Sequence, residues 1–499
     1  MGDNLSAIRS WPVLLYAGIP ALVTAFLWVT SSNELSFPQI LAAFLLCWIP
    51  WAAYEEWYRG PRQEIPLFSL LAAMYWLTYV VPLFWSSHTL ALTTGVTRLR
   101  EQSVTEALYL VLMGVAALWA GMRAARGWRW RPSKQLDVPQ NPWRWHYLRM
   151  VLVLSAAVRI LVPITALGEG GRQVLVNIES VVPSVVFVIL LRSYLRGHAI
   201  GADKALLAGY FLLALIVGLS SGWLGTFVAL GIICITAFVY ERRQFPVAAI
   251  LVVLPVILFL QPGKARFRER YWQGGGPSES YAQGYSERVG FWLEASAQAW
   301  GNALTDLSGE GLRKLSSDTL TRLSLLQQTA NVIEMTPRQV PYQDGRLYSY
   351  VPITFVPRFL WPAKPSISDA NKWYQISYHL TLPANLESVG IAVGTLTESY
   401  INFGWLGPVA VMFCLGFGLG VFQTVFLRVA SGMLLSSIGV ALLPGFLSVE
   451  SQMAVYVAGL VQQVAFALII LAPVLVLRSG ERGQGRDASG DAVDSQGKP

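Results

Sequence analysis

Charge is scarce in this sequence. Of 499 residues, 13% are charged, while 54% are hydrophobic. A soluble domain carries roughly 25% charged residues. So little charge cannot cover the surface of a water-soluble chain this long, and lipid is the implied second solvent. Disordered, collagenous and small secreted classes are excluded on the same grounds. Cysteine is nearly absent. Cys47, Cys234 and Cys414 each fall inside an apolar run, which leaves neither a disulfide framework nor a metal-binding spacing. The four histidines, His88, His146, His198 and His379, are scattered. There is no GxxxxGK[ST], HExxH, CxxC or DxD. The first excludes a P-loop nucleotide engine, and the last disfavours metal-chelated sugar-nucleotide chemistry.

What the chain has is long apolar runs. A bilayer core takes about 20 mostly apolar residues per helix. Reading for such runs predicts twelve spans, near 11–30, 37–54, 66–86, 103–122, 150–167, 176–194, 204–219, 222–240, 244–261, 403–427, 433–449 and 456–477. The expected fold is an all-α polytopic membrane protein. With the N-terminus inside, the inner segments hold 20 Lys and Arg, and the short outer segments hold Arg98, Arg100 and Arg172. That bias places both termini in the cytoplasm. The net charge of +8 is therefore read as loop asymmetry rather than as a nucleic-acid footprint. The expected divisions are 1–261 (nine spans), 262–402 (one long outer segment), 403–478 (three spans) and 479–499 (a disordered, Gly/Asp/Ser-rich tail).

The outer segment 262–402 is nearly neutral, with 13 Lys and Arg against 12 Asp and Glu. A loop of this length is expected to fold and carry function. Apolar spacing predicts helices near 284–306 and 318–335. The four prolines of YSYVPITFVPRFLWPAKP, at 348–365, exclude a regular helix there.

Cations are the informative polar groups. Lys264, Arg266, Arg268 and Arg270 follow the ninth run on the side where the orientation rule expects few cations. They read either as a snorkelling anchor or as an anion site, since the planar guanidinium fork meets phosphate oxygens bidentately. Arg159 lies well inside the fifth run and requires a partner within the bundle, and Arg172 in the following turn could join it. Glu398 stands just before the tenth run. It reads as a helix-start carboxylate or as a general base facing a hydroxyl acceptor, with Glu387 and Asp369 as weaker candidates. Tyr342, Tyr348, Tyr350, Trp361, Trp373 and Tyr374 suit sugar stacking or a packed loop core equally well.

PRFLWPAKP at 357–365, Asn371, and ESYINFGWLGP from Glu398 form one block, preceded by RLSLLQQTANVIEMTP at 322–337. This block resembles the bacterial Wzy-type polymerases of O-antigen and exopolysaccharide repeat units. The resemblance implies a GT-C-like fold and metal-independent glycosyl transfer, without a cofactor, on the outer face of the cytoplasmic membrane. Donor and acceptor would both be glycans on undecaprenyl diphosphate, and a chain-length-regulating membrane protein is a compatible partner. It implies catalytic roles for Arg358, Lys364 and Glu398. Arg159, Arg172, Arg266, Arg268 and Arg270 would hold the diphosphate, and Arg322, Asn371, Tyr374 and His379 would contact substrate. Two other readings stand beside it. One is an O-antigen ligase acting on lipid A core. The other is a flippase or transporter of lipid-linked sugar, which predicts internal repeats that the chain lacks.

Overall fold

The computed structural model describes residues 13–59, 65–86, 88–127, 134–137, 141–161, 169–244, 246–272, 284–306, 309–356, 361, 363–386, 390–391, 393–427, 432–474 and 476–479. Helices dominate. The first are α1 (Val13–Val29), α2 (Phe37–Arg59), α3 (Leu67–Tyr75) and α4 (Val81–Trp85), with a π turn at Trp76–Val80 joining the last two. A hairpin, β1 (Thr89–Leu92) and β2 (Gly95–Arg98), precedes α5 (Glu101–Arg126). After β3 (Lys134–Asp137) come α6 (Pro142–Leu161), α7 (Glu169–Leu195), α8 (Gly201–Ser220), α9 (Leu224–Arg242) and α10 (Val247–Leu260).

The long segment then contributes α11 (Lys264–Trp272), α12 (Tyr285–Thr305), α13 (Glu310–Leu323), α14 (Leu326–Met335), α15 (Tyr350–Thr354), α16 (Ser368–Ser377) and α17 (Thr395–Phe403). The chain closes with α18 (Leu406–Phe422), a π turn at Gln423–Leu427, α19 (Gly432–Phe446), α20 (Met453–Ile470) and β4 (Val476–Ser479).

By length and composition, seven helices among the described residues can cross a membrane: α2, the Leu67–Trp85 rod, α5, α8, α9, Leu406–Leu427 and α20. The broken pair α10–α11, bent by 53°, makes an eighth if it counts as one span. The expectation of twelve is corrected accordingly. The apolar stretches of Gly18–Val29, Val181–Leu195 and Gly432–Phe446 fall short of full spans. Helix α6 carries Arg144, Arg149 and Arg159, too much charge for a lipid-facing rod. The last run also stops early. Pro473 follows α20, and the chain leaves as β4, which pairs antiparallel with β3. Residue 479, assigned to the tail, is therefore the end of a strand. Residues 480–499 lie outside the described residues.

The long segment folds as expected over 284–306, which is α12. The 318–335 helix is broken in two at Ser324–Leu325, where the Leu325 amide donates to the Thr78 carbonyl at 3.0 Å. Among its described residues the proline-rich stretch forms only the end of a 3₁₀ turn, Arg346–Ser349, and the short α15. The segment is pinned to the bundle by Arg100–Glu334 at 3.0 Å and by Arg288, buried in α12, which donates to the Ser220 carbonyl at 3.2 Å.

Helices α5 and α18 form the tightest seam. Lipid offers no hydrophobic reward for joining two helices, so close backbone approach through small residues must supply the attraction. Glycines do this here. A Cβ on Gly121 of α5 would strike the Phe413 carbonyl, and one on Gly416 of α18 would strike the Leu118 carbonyl. Gly114 and Gly420 lie on the same seam, against Met412 and Ala125 respectively. At the opposite end of the bundle from the long segment, buried Arg192 of α7 bonds Glu241 of α9 at 2.6 Å and Ser436 and Ser437 of α19.

Gly416→Val is expected to destabilise the protein by roughly 2–3 kcal/mol or more, because overpacking forces the two backbones apart. Gly418→Ala, which meets open space, is the neutral control. Thermal melting in detergent with size-exclusion recovery measures both. Equal melting of the two variants would contradict the seam.

Candidate functional site

The site is built around the first turn of α17. Gly394 precedes it at φ 73°, a left-handed conformation suited to glycine, and a Cβ there would sit 2.8 Å from the Val449 carbonyl oxygen. That close approach staples α17 to the 447–453 turn. The Gly394 amide donates to the Glu450 carbonyl at 3.1 Å, and Thr395 Oγ1 donates to the Ser451 carbonyl at 2.8 Å. The Met453 amide, at the first position of α20, donates to Glu398 Oε2 at 2.7 Å. Glu398 thus sits on the positive end of a long helix.

Glu398 is fully buried, and its second oxygen, Oε1, has no hydrogen-bond partner. Burial pushes its carboxyl up to about 8, and the Met453 amide offsets this only in part. Two other buried polar atoms beside this turn are also unpaired: Tyr348 Oη and Gln452 Nε2. Each buried polar group left unmet costs roughly 1–3 kcal/mol. Burial and the nearby Glu398 charge hold the Tyr348 phenol well above its usual range, so it stays protonated. Asn402 ties these residues together. Its Nδ2 donates to the Glu398 carbonyl at 2.8 Å, and its Oδ1 accepts from the Leu347 amide at 3.3 Å.

A cavity of about 1470 Å³ opens at this point between α18 and α20. Its polar lining is concentrated at one end, with Tyr342, Asp344, Tyr348 and Asn402. Below them the walls are aliphatic and aromatic, from Val411 to Phe422 on α18 and from Val457 to Leu468 on α20. A typical small-molecule site holds about 300–1,000 Å³. This one is larger, longer and open along the apolar belt, which suits an extended hydrocarbon chain.

Glu450, in the 447–453 turn, faces a cation cluster. Lys264 and Arg268 of α11 and Arg322 of α13 lie close enough for their charges to act on one another, and Glu450 acts on Lys264. The Arg268 guanidinium stands 5.5 Å from the Trp223 ring centre.

The remaining sequence candidates are dispersed. Arg266 donates to Gln298 at 2.9 Å, and Arg270 packs over Phe291 at 4.6 Å near Glu287, so both turn toward α12. Arg159 finds its partners inside the bundle in Tyr210 and Glu179. Lys364 Nζ donates to the Thr354 and Val356 carbonyls at 3.3 and 2.9 Å, an arrangement that holds the loop after α15. Asn371 donates to the Ile391 carbonyl at 2.9 Å, and Asp369 accepts the Ser366 amide at 2.9 Å at the start of α16. Tyr374 is buried with an unpaired hydroxyl, next to Tyr378. His379 is exposed at φ 55°, and its carbonyl accepts the Thr93 amide at 2.8 Å. Arg358, Glu387 and the Arg172 side chain lie outside the described residues. Among the described residues no group of three His, Cys, Asp or Glu is placed to hold a metal.

Sequence reasoning missed the 447–453 turn. The available signal was Glu450, a lone acid in a short connection between two apolar runs.

A family model matches residues 86–428, more than two thirds of the chain, and the chain belongs to that family, described as a domain of unknown function (DUF8712). No curated protein and no solved structure matches it. The matched region contains Lys264, Arg268, Arg322, Tyr348 and Glu398, and it ends before the 447–453 turn and α20.

The Glu398 carboxyl binds its proton more tightly in the fold than in the unfolded chain. Its contribution is therefore fully present below about 4.5 and lost as pH rises through about 8. Wild-type melting temperature is expected to fall across that window, and Glu398→Gln is expected to flatten the profile. Superimposable profiles would show that the carboxyl does not titrate in this way.

Proposed function

We propose that the protein is a membrane glycosyltransferase that polymerises undecaprenyl-diphosphate-linked oligosaccharide repeat units into O-antigen or exopolysaccharide. In this reading the long segment lies on the outer face of the bacterial cytoplasmic membrane, both termini are cytoplasmic, and the architecture is GT-C-like. One observation carries the reading. A dry carboxyl with high proton affinity lies behind Asn402 and Met453 at the polar end of a long apolar groove, and the turn that holds it also carries Glu450, which faces Lys264, Arg268 and Arg322. A lipid-diphosphate substrate needs those three features together: a path for its tail, cations for its phosphates and a proton acceptor at the sugar. The resemblance of the 357–408 block to Wzy-type polymerases points the same way.

The acceptor hydroxyl attacks the anomeric carbon of the donor glycan. A carbon–oxygen bond forms there as the bond to the diphosphate oxygen breaks. The electron pair leaves on the diphosphate, where Lys264, Arg268 and Arg322 meet charge that grows in the transition state. Glu398, once ionised, takes the hydroxyl proton, and a base that titrates near working pH is effective in that role. The scission of the diphosphate ester supplies the driving force, consistent with the lack of a P-loop.

Purified protein, given lipid-diphosphate repeat units with chelator and no nucleotide, is expected to produce a glycan ladder on gels. Transfer solely to added lipid A core would instead make it a ligase, and no product under any condition would overturn the reading. The rate is expected to climb with pH toward about 8 as Glu398 ionises and to fall beyond it as Lys264, whose proton burial loosens, gives up its charge. Glu398→Gln is expected to abolish the ladder. Arg268→Ala and Arg322→Ala are each expected to slow it by roughly a hundredfold, the scale of losing one transition-state donor. Wild-type rates in all three variants would refute the site.

A further inference from the structure

Two buried polar atoms at and just behind the groove head lack partners, and their chemistry selects one ligand group. Glu398 Oε1 and Tyr348 Oη are both buried and both without a hydrogen-bond partner. They are neighbours: Tyr348 senses the Glu398 charge, and Asn402 bonds the residue before one and the carbonyl of the other. Tyr348, Asn402 and Met453 line the groove, and Glu398, bonded to the last two, lies behind them. The other carboxyl oxygen is already committed to the Met453 amide, which fixes the plane in which Oε1 presents itself. Tyr348 is held in turn by its ring packing on Phe403, at 5.8 Å. An ionised carboxylate oxygen only accepts, whereas a protonated phenol can donate. A hydroxyl group, which donates once and accepts, is the complement of that pair.

We infer that Tyr348 and Glu398 clamp the attacking hydroxyl of the acceptor sugar, with Tyr348 as a positioning residue. The Tyr348 Oη–H donates to the acceptor oxygen, and the acceptor O–H donates to Glu398 Oε1. This orients one lone pair of the acceptor oxygen away from both residues, toward the donor. When the new carbon–oxygen bond forms, the acceptor proton passes to Glu398 Oε1 and the old electron pair departs on the diphosphate. Tyr348 keeps its proton throughout. The inference rests on the polymerase reading above and adds which substrate, and which of its atoms, the niche selects.

The test separates the two substrates kinetically. A single repeat unit on its lipid is varied as acceptor against a fixed long-chain donor, and then the donor is varied. Tyr348→Phe keeps the ring and removes only the hydroxyl. It is expected to raise the acceptor KM about tenfold, the scale of one net hydrogen bond, and to leave the donor KM unchanged. A merely structural role would move both or neither. If wild-type protein polymerises and Tyr348→Phe keeps the wild-type acceptor KM, the clamp is wrong although the polymerase reading stands. If wild-type protein makes no polymer, the polymerase reading itself has failed.

A second measurement covers the case of a variant that fails to fold. Difference infrared spectra of wild-type protein, with Glu398→Gln to assign the band, are recorded on adding the lipid-linked repeat unit or the bare polyprenyl diphosphate. The Glu398 carboxyl band is expected to shift with the glycan-bearing lipid and not with the bare one. A shift with both lipids, or with neither, would overturn the clamp.

Discussion

The structure around the groove depends on a carboxyl group buried against the start of a helix. Taking a carboxylate out of water is costly unless its oxygens are met. Glu398 has one oxygen met, by the Met453 amide, and one unmet. The fold sustains this because three hydrogen bonds hold the 447–453 turn to α17, and Gly394 allows the two backbones to touch. Loosening any of these would let water reach the carboxyl and return it to ordinary acidity. Reactivity at this position is therefore a product of backbone packing more than of neighbouring charges.

That packing is transmitted from the α5–α18 seam. The face of α18 that carries Gly416 and Gly420 is pressed onto α5, which leaves Val411, Cys414 and Gly418 facing the groove. Helix α20 stands off from that second face, and the cavity is the space between them. Gly407 begins the arrangement. Its backbone lies against Ser399, so the end of α17 is locked to the start of α18. The glycines thus decide both where Glu398 stands and which side of α18 is free to contact a chain-like ligand.

Much of this was legible in the sequence, and the gaps have physical reasons. Apolar runs locate helices, but they overcount spans, because a run does not reveal where α10 bends or that the stretches Gly18–Val29, Val181–Leu195 and Gly432–Phe446 stop short. Glu398 could be singled out as an acid next to an apolar run. Its burial could not, since that comes from a turn fifty residues further on. The cations after the ninth run were read as one cluster, and helical geometry separates them. Once 264–272 is a helix, Lys264 and Arg268 share one face, while Arg266 and Arg270 share another. The first pair meets Arg322 and the second meets α12. The spacing already contained that division. The arrival of Arg322 from α13 is a tertiary fact that no spacing encodes.

The separation of acid from cations follows a chemical logic. A cation beside Glu398 would favour its ionised form and lower its proton affinity. Here the influences on Glu398 are burial and one amide, while Glu450 answers the charge of Lys264. Within one short turn, Glu450 faces Lys264 while the Met453 amide holds Glu398, so one side gathers positive charge and the other stays dry. Burial pushes both carboxyls up, and Lys264 pulls only Glu450 part of the way back. In this fold the divider is a stretch of backbone, so neither environment can change without moving the other's wall.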